Sequence, residues 1–196
     1  MRIGVAAGHS ARTDGERRWE WERCRTVQSR LGELLVYGHH HPVVPPKEIY
    51  ALDNDAALAA KIAYFNQAHV DLAVELHLNA GGGQYSTCLY WSDDEGHVSE
   101  AGRALAGHIA RQLAAAFPWR SVGPRSQGQM GRDLAFLSET TMPAVLVEAG
   151  FKDDPLQRAY LERPSGPVQY ATAVFQALCR YADEVAVEGE SVRAAS

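Results

Sequence analysis

Short apolar stretches recur along the chain and are predicted to be strands of a buried sheet. Runs of this length, closed by glycine, proline or polar residues, are typical of strands that are covered on both faces. They lie at residues 2–7, 42–44, 70–78, 86–92, 134–138 and 144–150. The second ends at two prolines, and the third is followed by three glycines. The pattern therefore predicts a sheet of about six strands.

Between these strands, apolar positions recur every three or four residues, which is the spacing of one helical face. The clearest stripe is Glu20, Cys24, Val27, Leu31, Leu34 and Leu35. It predicts a helix from about residue 18 to the residue before Gly38. Further helices are predicted at 54–68, with Asn54 or Asp55 as the N-cap, at 98–116 and at 167–184. The polar stretches at 10–18 and 120–133 are predicted to be loops, and a loop as long as the second is often functional.

Strands that alternate with helices predict an α/β fold with a mostly parallel, twisted sheet flanked by helices. The chain has 196 residues, of which 46% are hydrophobic, enough for one sizeable core. We therefore predict that residues 1–184 form a single catalytic domain. Residues 185–196 are predicted to be a flexible tail.

Composition excludes several classes of function. The formal net charge of −5 argues against a surface that binds nucleic acid. No stretch reaches the ~18 apolar residues of a membrane span, and the N-terminus lacks the apolar core of a signal peptide. Three widely spaced cysteines, Cys24, Cys88 and Cys179, are typical of reduced thiols. These features predict a cytoplasmic protein whose oligomeric state the sequence leaves open.

Ionisable side chains stand where three predicted strands end. His9 follows the first strand, His77 lies near the end of the third, and Glu148 lies near the end of the last. In open α/β sheets function collects at the carboxyl ends of strands. Glu20 lies at the start of the first predicted helix, and its side chain is expected to point to the same end of the sheet. Taken singly, each could be structural: a satisfied histidine, a partner of the helix dipole, or a member of a core ion pair.

Taken together, these side chains match a catalytic metal site. Two imidazoles and one carboxylate around an open position are the ligand set of catalytic zinc. A nearby carboxylate that is not a ligand, here Glu148, is then available as general base. Spacing alone predicts zinc-assisted hydrolysis of an amide.

The same residues resemble the zinc-dependent N-acetylmuramoyl-L-alanine amidases of the amidase-3 type, which cut peptidoglycan. The stretch AAGHS is similar to the family's strand followed by GHGG, and the helix that Glu20 opens matches the family's aliphatic offsets. LAAKIAYFNQAHVDLAVELHLNA aligns without a gap with the family's L-x-x-R-x-x-x-A-N and A-D-L-F-V-S-I-H-A-N-A segments, and MPAVLVEAGF resembles P-A-V-L-V-E-x-G-F.

The resemblance implies that His9, Glu20 and His77 bind Zn²⁺ and that Glu148 is the catalytic residue. It implies peptidoglycan as substrate, cut at the amide between N-acetylmuramic acid and L-alanine. A catalytic domain with no evident export signal resembles a phage or prophage endolysin, held in the cytoplasm until it is released to the cell wall. A host wall-remodelling enzyme delivered by another route is the alternative setting. The alternatives are a zinc carboxypeptidase or endopeptidase acting on cell-wall peptides, or a degenerate wall-binding module.

The chain departs from the family pattern at a few positions. GHS replaces GHGG, and Lys61 stands where the family usually has arginine. Glu75 occupies the usual serine position, where it either orients a ligand histidine or is a buried partner for an arginine. Glu22 competes with Glu20 as ligand, but it lies about 200° round the helix from the core stripe. Glu20 is therefore the predicted ligand.

Other candidates have strong structural explanations. The three consecutive histidines at 39–41 cannot all face one ion comfortably. Trp19, Trp21 and Trp119 either stack on glycan or cover the core. Asn79 either binds substrate or caps the turn that follows its strand.

Overall fold

A computed structural model of the protein describes the backbone of residues 1–194 and the side chains of residues 1–187. Its centre is a single six-stranded sheet, in the order β2-β1-β3-β6-β4-β5. The strands are β1 (Arg2–Ala7), β2 (His41–Val43), β3 (Leu72–Asn79), β4 (Tyr85–Tyr90), β5 (Arg120–Ser126) and β6 (Ala144–Phe151). All neighbouring pairs are parallel except β4 and β6. The predicted α/β fold with a mostly parallel sheet is confirmed.

Helices cover both faces of this sheet. They are α1 (Gly15–Tyr37), α2 (Lys47–Tyr50), α3 (Asn54–Ala68), α4 (Glu100–Ala116), α5 (Ala135–Ser138), α6 (Pro155–Glu162) and α7 (Ser165–Ala194). One core cluster packs α1, α4 and α7 against the sheet, and a second packs α3 and α5 against the opposite face. In β1, Ile3 and Val5 belong to the first cluster and Ala6 to the second, because successive side chains point to opposite faces.

Two segment predictions are wrong, although the number of strands is right. Residues 134–138, predicted to be a strand, form the short helix α5. A five-residue apolar run fits a buried helical turn as well as a strand. Residues 120–133, predicted to be a loop, contain β5 and a 3₁₀ helix at Gly128–Met130. Because β5 lies at the sheet edge, much of it stays exposed and it needs no apolar alternation.

Several boundaries also differ from prediction. The side chain of Asp53, and not of Asn54 or Asp55, caps α3 by accepting a hydrogen bond from the Ala56 N–H (3.0 Å). The last helix continues to Ala194, past the predicted end at residue 184. The flexibility of residues 185–196 stays a prediction. None of the helices in residues 1–194 has the length and apolar content needed to cross a membrane.

Candidate metal centre

The order of the strands places the predicted site residues at one edge of the sheet. β3 lies between β1 and β6, and all three run parallel. Ala7 pairs with Leu76, so His9 follows β1 close to His77 of β3. His77 in turn pairs with Glu148 of β6. The carboxyl ends of three neighbouring strands therefore deliver two imidazoles and one carboxylate to the same place.

His9 occupies an unusual backbone conformation. Its φ angle is 60°, in the left-handed region that residues other than glycine seldom adopt. The preceding N–H, of Gly8, donates to the Leu76 carbonyl (2.8 Å), which ties the end of β1 to β3. Strained residues of this kind cluster at functional sites, where the surrounding structure holds them.

Glu20 of α1 connects the two imidazoles. Its Oε2 lies 3.0 Å from Nε2 of His9, and its Oε1 lies 3.0 Å from Nδ1 of His77. The Leu78 N–H donates to Oε1 (2.9 Å), and the Lys152 ammonium pairs with Oε2. Only 1% of the Glu20 surface is exposed. The structure thus brings the three predicted ligands together, with candidate ligand atoms all within 4.8 Å of one another.

Glu22, the competing ligand, lies outside this group. It is exposed and pairs with Arg18 on the same helix (2.8 Å). The geometry therefore favours Glu20 for the carboxylate position.

The charges around Glu20 and His77 are suited to a cation. Burial by itself would raise the pKa of Glu20, but hydrogen bonds from His77 and His9 hold it well below its usual range. Burial would lower the pKa of the His77 imidazole, but the charges and hydrogen bonds of Glu75 and Glu20 raise it. A metal ion must displace the proton that His77 then carries. Two imidazole nitrogens and a carboxylate fit the preferences of zinc in a catalytic site.

Glu148 lies beside this group without joining it. It is 5% exposed, and its Oε2 is a buried oxygen with no hydrogen-bond partner in the described part of the chain. Burial raises the pKa of Glu148 to about 7, and Glu20 acts in the same direction, against His77 and Arg132. A buried carboxyl that titrates near neutrality and keeps a free oxygen is able to accept and return a proton.

The site opens into a cleft with two unlike lobes. A polar lobe of about 290 Å³ is lined by Glu148 and by the cationic side chains Arg17, Arg132 and Lys152. A second lobe, of about 140 Å³, has a largely apolar surface that includes Leu58, and the side chains of Lys61 and Glu75 also line it. The lobes share the residues His9, His77, Leu134 and Leu146. A substrate in this cleft would reach the metal ligands and Glu148 together.

Sequence reasoning missed two of these side chains. Lys152 pairs with Glu20, and Arg132 Nη1 approaches Oε1 of Glu148 to 3.8 Å. Arg132 lies in the 120–133 segment, whose length was a signal of function. Lys152 directly follows β6, a position shared by many site residues of parallel sheets.

The remaining candidates have structural contacts. Trp119 donates to the Ala149 carbonyl (2.9 Å) and stacks on Phe117, and Trp19 donates to Glu162 across the α1 and α6 contact (3.1 Å). Asn79 Oδ1 accepts a hydrogen bond from the Ala80 N–H (2.9 Å) and the residue also lines the polar lobe, so both of its roles stay predictions. The histidines at 39–41 belong to no candidate metal group among the described residues.

Gly8 is required for the position of the His77 ring. A Cβ atom on Gly8 would fall within the imidazole of His77, closer than real Cβ atoms approach. The Gly8→Ala variant is therefore expected to displace the ring and to weaken zinc binding by roughly 10–100-fold, the range for groups that orient a ligand. Competition with a chromophoric chelator measures this loss.

Gly32→Ala is the matched control, because a Cβ on Gly32 in α1 meets nothing within 4 Å. It should bind zinc like the unaltered protein and be as stable or slightly more so. Equal affinities for the two variants would show that the Gly8 contact does not hold the ring.

Comparisons with known proteins identify the family and the fold of the whole chain. A family model described as N-acetylmuramoyl-L-alanine amidase matches residues 3–180. A search of curated proteins found no match. The fold is similar to that of several solved structures at low sequence identity.

One of these structures is the catalytic domain of CwlV, an amidase of Bacillus (Paenibacillus) polymyxa var. colistinus. It has 20% identity and a TM-score of 0.76, with 93% of this chain and 99% of that chain covered. An N-acetylmuramoyl-L-alanine amidase of Clostridium difficile 630 has 20% identity and a TM-score of 0.78, with 93% and 96% covered. The catalytic domain of the CD27L endolysin, which targets Clostridia difficile, has 22% identity and a TM-score of 0.73, with 92% and 97% covered.

At these identities the solved structures establish the fold, whereas the family model establishes the relationship. The match to the family model spans nearly the whole described chain and includes His9, Glu20, His77 and Glu148. The chain belongs to the Amidase_3 family of N-acetylmuramoyl-L-alanine amidases, enzymes that hydrolyse an amide of peptidoglycan.

Proposed function

We propose that the protein is a zinc-dependent N-acetylmuramoyl-L-alanine amidase. Its reaction is hydrolysis of the amide between the lactyl group of N-acetylmuramic acid and L-alanine of the stem peptide. The observation that carries the proposal is the meeting of His9, Glu20 and His77 within 4.8 Å, beside a buried Glu148 oxygen that has no partner among the described residues. Family membership supports the substrate.

Zinc would be held by Nε2 of His9, the carboxylate of Glu20 and Nδ1 of His77, the atoms that already face one another. When bound, it supplies a Lewis acid that polarises the amide carbonyl and lowers the pKa of water. Since three protein ligands leave a coordination position open, the donor set is that of a catalytic site and not of a structural one.

Glu148 then moves the proton. It accepts a proton from the attacking water as the oxygen bonds to the carbonyl carbon. It delivers that proton to the L-alanine nitrogen as the C–N bond breaks. The remaining proton of the attacking water then passes to the freed amine, so the products are a lactyl carboxylate and an ammonium group. Burial prepares Glu148 for both steps, because its pKa of about 7 lies near the working pH of such a base.

The two lobes of the cleft differ in charge and polarity. Arg17, Arg132 and Lys152 line the polar lobe together with Glu20 and Glu148, whereas the surface of the second lobe is mostly apolar. The carboxylates of an acidic stem peptide suit the lobe that contains these three cations. Cytoplasmic storage followed by release to the wall, as in a phage endolysin, stays a prediction on which the reaction does not depend.

The products distinguish this reaction from the alternative, a zinc carboxypeptidase or endopeptidase. Purified peptidoglycan digested with the protein is expected to gain free amino groups on L-alanine, detected by amine labelling and mass spectrometry. Activity should disappear on chelation and return with added zinc. New amines or carboxyls confined to other stem residues would instead support the alternative, which the family match does not favour.

A further inference from the structure

A fully buried ion pair lies behind His77. The Lys61 ammonium is 2.5 Å from Oε1 of Glu75, and the two residues are only 1% and 2% exposed. A buried ion pair is seldom more stabilising than well-packed apolar residues of the same volume. Stability alone is therefore a weak explanation for this pair, and its contacts point to another role.

Glu75 approaches the side of the His77 ring that faces away from Glu20. Its Oε2 lies 3.1 Å from Nε2 of His77, whereas Nδ1 of the same ring lies 3.0 Å from Glu20. The alignment at Nε2 falls short of a well-formed hydrogen bond, but no other described residue offers that nitrogen a partner. Glu75 is thus placed to hold the ring from behind while Nδ1 faces the proposed metal.

Lys61 connects this carboxylate to the other histidine-bearing strand. Besides pairing with Glu75, its ammonium donates to the Ala7 carbonyl (3.0 Å), two residues before His9. The Ala7 N–H donates to the hydroxyl of Tyr50 (3.0 Å), whose ring lies 5.9 Å from the ammonium. One buried cation therefore contacts the end of β1 and the middle of β3, the two strands that position the imidazoles.

We propose that Lys61 and Glu75 are positioning residues for the metal centre. Glu75 accepts the Nε2–H of His77, which fixes the tautomer whose Nδ1 lone pair is free for the metal, since a neutral imidazole has only one N–H. Lys61 holds Glu75 and the end of β1 in place. This inference rests on the proposed function, because it needs a metal at His9, Glu20 and His77.

The test separates positioning from stability with two double variants. K61M/E75L removes both charges and the acceptor, whereas K61M/E75Q removes both charges but keeps an amide oxygen that accepts a hydrogen bond. Both lack an unpaired buried charge, so both are expected to unfold at urea concentrations close to that of the unaltered protein. Zinc affinity is measured by competition with a chromophoric chelator.

K61M/E75L is expected to bind zinc roughly 10–100-fold more weakly, the usual loss for a partner that orients a ligand histidine. K61M/E75Q should recover part of that loss. Equal affinity of K61M/E75L and the unaltered protein would overturn the inference. Failure of the unaltered protein to bind zinc would instead refute the proposed function, so the two failures are distinguishable.

A second measurement needs no variant. Nitrogen-15 NMR of the zinc-loaded protein reports which imidazole nitrogen carries the proton. His77 is expected to be protonated on Nε2. A proton on Nδ1 would contradict the positioning role even if the double variants did not fold.

Discussion

Replacing Glu148 by glutamine is expected to lower the turnover of peptidoglycan at least ~100-fold while zinc stays bound. The factor is the usual scale for a general acid-base group. Glutamine keeps the shape of the side chain but cannot take a proton from water. Because Oε2 of Glu148 has no hydrogen-bond partner in the described chain, the substitution breaks no structural bond there. Turnover is measured as the rate at which free L-alanine amines appear. Zinc retention is measured as the zinc content of the purified variant.

The unfolding temperature of the variant and an exposed control variant distinguish a catalytic effect from a loss of structure. Burial raises the pKa of Glu148 in the folded protein to about 7. The buried ionised form therefore lowers the free energy of unfolding as the pH rises from the usual pKa of a glutamate through 7. In the metal-free protein at pH 8, Glu148→Gln should therefore unfold at no lower temperature than the unaltered chain. Glu22→Gln, on the exposed side of α1, should retain full activity. Turnover near normal in Glu148→Gln would remove Glu148 from the proton-transfer role.

Replacing His77 by alanine is expected to abolish tight zinc binding. The change removes one of three proposed ligands, and two donors do not make a catalytic zinc site. The loss should be at least ~100-fold, beyond the roughly 10–100-fold typical of residues that only orient a ligand. Chelator competition and elemental analysis after gel filtration measure it.

His39→Ala is the matched control for this prediction. His39 belongs to the histidine run at 39–41, which is the rival metal cluster in the sequence. Its substitution should leave zinc affinity unchanged if the metal binds at the strand ends. Unchanged zinc content in His77→Ala, or zinc lost from His39→Ala, would overturn the ligand assignment.

The central strands could be predicted from sequence because they are covered on both faces. β1, β3 and β6 consist almost wholly of buried residues, so each appears as a continuous apolar run. The edge strand β5 could not be predicted in this way, since its position and not its composition makes it a strand. The apolar pattern at residues 134–138 predicts the wrong class because a short buried helix and a short buried strand need the same apolar residues.

The meeting of the site residues was predictable for a topological reason. His9, His77 and Glu148 all stand at carboxyl ends of strands, and neighbouring parallel strands end at the same edge. The partners of these residues were harder to predict. The sequence left two roles open for Glu75, and the structure shows contacts with both His77 and a buried cation, which is Lys61 and not an arginine. Contacts such as that of Lys152 with Glu20 depend on tertiary packing, which no periodicity in the sequence encodes.

Anomalous diffraction at the zinc absorption edge is the most direct test of the metal centre. Crystals of the unaltered protein, grown with zinc and without chelator, are expected to show one strong peak within bonding distance of Nε2 of His9, Glu20 and Nδ1 of His77. Zinc found instead at the histidines 39–41 or at the surface group of Asp93, Glu95 and His97, with none between His9 and His77, would contradict the account.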